Sequence, residues 1–168
     1  LSKKKSVPKD AIRKESAMNT VPLQISPLEK KIFDFPILKK DGNRENSIAK
    51  NPYIVLKYYQ ADWECFSAWN KPELKCFSDF IQKLSTLTWG DIYNTAGSPG
   101  NKIGVGYTTY QLSKMKTGSE TLKKVQSLVS PELTFFELRL SKKIRVHGFQ
   151  SQSAFFLVML DKDHRVFS

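Results

Sequence analysis

The sequence predicts an α+β domain: an antiparallel sheet of about four to five strands with helices packed on one face. Three observations carry that expectation. The C-terminal part of the chain holds strand-like runs in succession, Leu133 to Leu140, Lys143 to Phe149 and Ala154 to Leu160. Before them, the stretches after Asn70 and after Ser119 repeat apolar residues at helical spacing. The chain has 168 residues and is 40 % hydrophobic, enough for one ordinary core. Helices first and paired strands afterwards give segregated layers rather than alternating β-α-β units.

The elements follow in chain order. Residues 1–50 form a basic extension, and residues 51–168 the folded domain. Lys3, Lys4, Lys5, Lys9, Arg13 and Lys14 stand among Pro8, Pro22 and Pro27 without sustained periodicity. That segment reads as a solvated tail, as an arm wrapping the domain, or as a basic arm on nucleic acid. Ile32, Phe33, Phe35, Ile37 and Leu38 are apolar enough to dock, and residues 39–50 read as an exposed loop. Tyr53 to Tyr59 is rich in β-branched and aromatic residues and predicts a first strand. Asn70, Pro72 and Glu73 predict a capped helix start, with Leu74, Phe77, Phe80, Ile81 and Leu84 on one face. Thr88 with Asp91 repeats the cap before a shorter helix. Trp63, Trp69 and Trp89 read as core or lid aromatics. Residues 97–118, including Gly104-Val105-Gly106, lack the remaining parts of a phosphate-binding loop and read as a flexible connection. Ser119 is the expected cap of a helix carrying Leu122, Val125, Leu128 and Val129, stopped at Ser130-Pro131.

The register of the first hairpin follows from its pattern. A connection through Ser141, Lys142 and Lys143 places Leu140 opposite Ile144, Leu138 opposite Val146 and Phe136 opposite Gly148, all on one face. Arg139 then meets Arg145 and Glu137 meets His147 on the other. A register one residue shorter would mix core and solvent sides. Like charges directly opposite on a sheet repel, so the arginine pair invites an anion. Ala154 to Leu160 is apolar throughout and suits a central strand, Asp161 to Asp163 the turn, and His164 to Phe167 a last short strand.

Charge narrows the partner. Lys and Arg number 27 against 16 Asp and Glu, a net charge of +11, which favours nucleic acid or an acidic protein, with an anionic membrane surface the weaker option. Residues 1–50 hold 12 of the basic and 6 of the acidic residues. No apolar run reaches the roughly 18 residues of a spanning helix, and no compact apolar stretch opens the chain as a secretory signal would. The expectation is a soluble, cytoplasmic protein with no membrane partner. Cys65 and Cys76 have no zinc-site spacing. They read as free thiols, and neither metal nor cofactor is expected.

Glu137, His147, Arg139 and Arg145 on one face suit metal-independent cleavage of RNA. A base takes the proton of the 2′-hydroxyl, an acid protonates the departing 5′-oxygen, and fixed cations stabilise the crowded phosphorus centre. Glu137 or His147 is the base and the other the acid, while the arginines hold the phosphate. DNA, without the hydroxyl, is not a substrate. His164 and Arg165 come near the same surface, and Lys142, Lys143 and Arg165 are candidate RNA contacts. The structural alternative is a cross-strand ion pair of Glu137 with His147, in a noncatalytic basic module that binds RNA or an acidic protein.

The segment Phe136-Glu137-Leu138-Arg139, followed by Arg145-Val146 and the strand Phe155 to Asp161, resembles the RelE/HigB-type toxins of toxin-antitoxin systems. The resemblance spans about residues 53–168. It implies a small basic RNase whose helices precede an antiparallel sheet, which cleaves mRNA, often on the ribosome, and is neutralised by a cognate antitoxin. Arg139 and Arg145 match the family's strand arginines, and His147 and His164 stand in for its variable acid and base positions.

Overall fold

The computed structural model describes residues 50–95 and 105–167. The expected basic extension, apart from Lys50, and the loop segment 96–104 lie outside the described residues. Strand β1 (Tyr53–Val55) is shorter than the apolar run suggested. Helix α1 (Lys71–Thr86) begins at the predicted cap. Asn70 Oδ1 accepts from the Glu73 N–H at 3.0 Å, and Glu73 Oε2 accepts from the Asn70 N–H at 2.7 Å. Pro72 sits in the first turn, where its missing N–H costs nothing. Helix α2 (Trp89–Tyr93) opens on the same reciprocal arrangement between Thr88 and Asp91.

Helix α3 (Ser119–Val129) starts differently from the expectation, because Gly118 and not Ser119 holds the capping position. Gly118 has φ +78°, and a Cβ there would stand 3.3 Å from both Met159 Sδ and the Trp63 ring. The left-handed turn and the close approach both call for glycine.

The remaining strands are β2 (Thr108–Thr109), β3 (Phe136–Arg139), β4 (Arg145–Ser151) and β5 (Ala154–Asp161), in the spatial order β1-β5-β4-β3-β2. The β3–β4 hairpin has the register read from the alternation: Phe136 opposite Gly148, Glu137 opposite His147, Leu138 opposite Val146 and Arg139 opposite Arg145. Three features differ from the expectation. The sheet is mixed rather than antiparallel, since β1 runs parallel to β5, with Tyr53 beside Ala154 and Val55 beside Phe156. The expected strand His164 to Phe167 is a turn, because the Arg165 and Val166 N–H groups donate to the Asp161 carboxylate instead of to a neighbouring strand. The helices are also not confined to one face. Helices α1 and α2 pack with Phe136, Leu138, Val146, Phe155, Leu157 and Leu160, and α3 packs with Phe135, Phe149, Phe156 and Val158. Every residue of β5 is buried, and a strand that is apolar on both faces needs cover on both.

An irregularity in β5 decides what shares the α3 face. His147 pairs with Met159 but Gly148 pairs with Leu157, so Val158 is an extra residue in the ladder. Gly148 makes room for the bend: a Cβ there would lie 2.0 Å from the Phe156 carbonyl oxygen. Side chains alternate along a strand, and one inserted residue reverses the alternation beyond it. Leu160 thereby turns to the α1 face, and Asp161 turns to the α3 face. Among the described residues no helix is long and apolar enough to cross a membrane.

Candidate functional site

Phe135, Phe149 and Phe156 fill the part of the α3 face that packs on the helix. At the end formed by the C-termini of β3 and β5 and the start of β4, the same face turns polar. Alternation along β3 and β4 brings Glu137, Arg139, Arg145 and His147 there, and the bulge adds Asp161. The sequence predicted a solvent-exposed polar face, and the structure corrects this. Glu137 is 7 % exposed and His147 and Asp161 are fully buried, and the rings of Tyr110 and Phe167 pack against His147. Their rings stack edge-on at 4.9 Å, and Tyr110 lies 5.6 Å from the His147 ring.

Two linked groups result. In the inner one, the Tyr110 hydroxyl hydrogen-bonds His147 Nδ1 at 2.8 Å. His147 Nε2 faces Asp161 Oδ2 at 3.7 Å and has no closer partner. Asp161 in turn accepts the Arg165 N–H at 2.8 Å and the Val166 N–H at 3.1 Å. Burial opposes the charge on Asp161, but His147 and these two backbone donors outweigh it and hold its pKa below the ordinary carboxylate value. Burial, reinforced by the charges of Glu137 and Asp161, pushes the Tyr110 phenol well above its ordinary value.

The outer group reaches solvent. Glu137 Oε1 faces Arg145 Nε at 3.6 Å, and Glu137 Oε2 faces His164 Nε2 at 3.9 Å. Oε2 is buried without a hydrogen-bond partner, while the His164 side chain is 36 % exposed. His164 has φ +56°, a backbone region that disfavours any residue with a Cβ. Arg145 Nη1 donates to the carbonyls of Ser141 at 2.8 Å and Ile144 at 3.1 Å, which hooks the guanidinium over the hairpin turn. Burial lowers its pKa, and Arg139 adds to the effect against the opposing pull of Glu137. Arg139 makes no ion pair with a described residue. Its guanidinium lies along Gly106, where a Cβ would stand 3.2 Å from Arg139 Nε.

The structure therefore brings Glu137, Arg139, Arg145 and His164 together, with His147 buried opposite Glu137 on β4. Lys142 and Lys143 are exposed on the adjoining turn, and Lys143 faces Asp163 at 3.6 Å. Arg165 stands apart. Its Nη2 donates to Glu64 Oε2 at 2.9 Å, and its guanidinium lies over the Trp63 ring. No protein-family model, curated protein or solved structure matches this chain. The site thus rests on its own geometry. Among the described residues no group of three or more His, Cys, Asp or Glu side chains is placed to share a metal ion.

Sequence reasoning missed Tyr110, Asp161 and Glu64. Glu64 is 7 % exposed and accepts from Trp69 Nε1 at 2.6 Å, from the Lys162 N–H at 3.1 Å and from Arg165. No local pattern marks a carboxylate two of whose three donors, Lys162 and Arg165, lie about a hundred residues further along the chain.

Proposed function

We propose that the chain is a toxin-like endoribonuclease, related to the RelE/HigB group, that cuts mRNA by 2′-hydroxyl attack without a metal. The observation that carries this reading is the outer group: a carboxylate and an imidazole within 4 Å beside two arginines placed opposite one another, next to the exposed Lys142 and Lys143. His147 is fully buried and does not touch substrate, so the acid-base couple is Glu137 with His164.

Glu137 takes the proton of the 2′-hydroxyl, and the oxygen freed of its proton attacks the adjacent phosphorus. The P–O bond to the 5′-oxygen breaks, and protonated His164 gives that oxygen its proton. The products are a 2′,3′-cyclic phosphate and a 5′-hydroxyl. Arg139 holds the phosphate oxygens, its donors not committed to any carboxylate among the described residues. Arg145 keeps Glu137 in place. Lys142 and Lys143 contact flanking phosphates, and a cognate acidic antitoxin would cover the same cations.

The test is incubation of the full chain with RNA in EDTA, free and as ribosome-bound mRNA, with the product ends identified. Cyclic phosphate ends that disappear in His164→Ala and Arg139→Ala, both still folded, are expected. Binding to RNA without turnover on any of these substrates would favour the second reading, a noncatalytic basic module. The burial of Glu137 and His147 is the observation on its side.

A further inference from the structure

We infer that Asp161 is a positioning residue: its buried carboxylate, backed by His147 and Tyr110, clamps the C-terminal turn and thereby sets the imidazole of His164 against Glu137. This inference rests on the reading of Glu137 and His164 as the acid-base couple. His164 occupies a left-handed backbone conformation that is uncommon for a residue with a Cβ, and the hydrogen bonds that flank it fix the turn there. The two residues that follow it supply the first of these bonds. Both oxygens of Asp161 are engaged by backbone N–H groups, those of Arg165 and Val166. The far side of the turn is tied as well, since the Lys116 N–H donates to the Val166 carbonyl at 2.9 Å and Thr117 Oγ1 to the Arg165 carbonyl at 3.2 Å.

The placement of Asp161 is itself contrived. Without the extra residue in β5, its side chain would point to the apolar α1 face. With it, a carboxylate stands fully buried beside a fully buried imidazole. A bare carboxylate in that position would be strongly disfavoured. The backbone N–H donors and His147, itself held by the Tyr110 hydroxyl, offset that penalty. The chain from Tyr110 through His147 and Asp161 to the turn therefore ends at the one imidazole of the cluster that solvent and substrate can reach. Bulges that redirect a side chain beside a site are a recurring device.

The experiment uses the full chain and its Asp161→Ala and Asp161→Asn variants. Amide relaxation is measured at His164, Arg165 and Val166, and RNA cleavage is resolved into kcat and KM. With only two histidines in the chain, the His164 ring signal is assigned by its loss in His164→Gln. In Asp161→Ala the three amides should loosen, to order parameters below about 0.6. The kcat should fall by about 10- to 100-fold, as expected for a displaced catalytic group, with KM within about 2-fold. Asp161→Asn keeps one acceptor oxygen and should fall between. A rigid turn in Asp161→Ala, or a loosened turn with the wild-type kcat, overturns the inference. Should Asp161→Ala not fold, the same two readouts on Asp161→Asn decide. If the wild type cleaves no RNA, the endonuclease reading fails by itself, and the amide relaxation alone still upholds or rejects the clamp.

Discussion

The two faces of the sheet use burial in opposite ways. On the α1 face, Trp89, Phe136, Leu138, Val146, Leu157 and Leu160 form an apolar layer, stabilised by area removed from water and by close contact. On the α3 face, apolar packing stops part-way along, and Glu137, His147 and Asp161 are withdrawn from water instead. Charges so placed contribute little net stability even when well paired. The contrast sets apolar packing on one face against a buried polar cluster, the proposed site, at one end of the other, and four tests can break or sharpen it.

The largest effect belongs to the apolar face. Trp89 is fully buried, meets Phe136 edge-on at 6.0 Å and donates from Nε1 to the Ser153 carbonyl. Trp89→Ala should lower the urea unfolding free energy by about 3–5 kcal/mol, with RNA cleavage per folded molecule unchanged. A loss under about 1 kcal/mol would remove that face's role as the stabilising one.

Next comes the Glu137–Arg145 pair, whose side chains are 10 % and 11 % exposed. Glu137→Ala leaves Arg145 without its carboxylate and should cost about 1–3 kcal/mol. Glu137→Leu combined with Arg145→Met should recover that stability while abolishing cleavage. Stability and activity both lost in the double variant would mean that the pair is structural.

A smaller effect depends on pH. The pKa of Asp161 lies below the ordinary carboxylate value in the folded chain, so folding favours its charged form. The stabilisation is present above the unfolded-state pKa and is lost as pH falls through the folded-state value. Thermal melts of wild type should therefore drop more steeply on acidification than those of Asp161→Asn, and parallel curves would contradict the assignment. The smallest change lies outside both faces. Asn70→Ala removes an exposed helix cap and should cost about 1 kcal/mol. Cleavage kinetics should stay at the wild-type level.

How much of this was legible in the sequence depended on how far apart the partners lie. The caps at Asn70 and Thr88 involve residues three positions apart, and the β3–β4 register is fixed by one short turn and a clean alternation, so both could be read directly. The parallel pairing of β1 with β5 could not, because Tyr53 and Ala154 carry no mutual signal. The apolar stripe of α3 showed that the helix packs on something, but not on which face. Asp161 was hidden for a subtler reason. Strict alternation assigns it to the wrong side, and the bulge that corrects this is marked only by Gly148, one glycine among the 8 in the chain. The cover over His147 comes from Tyr110, in a segment whose composition suggested only a loop.

The parallel pairing of β1 with β5 has a consequence during synthesis. Strand β5 lies between β1 and β4, so β1, the first of the described strands to leave the ribosome, has no described strand to pair with until residues past Ala154 have emerged. Pairings so distant along the chain close late and slowly. Asp161 and His164 emerge later still. The proposed acid-base couple would therefore be assembled in the same closing event that completes the sheet, and a partly made chain carries basic charge without that pair of side chains in place.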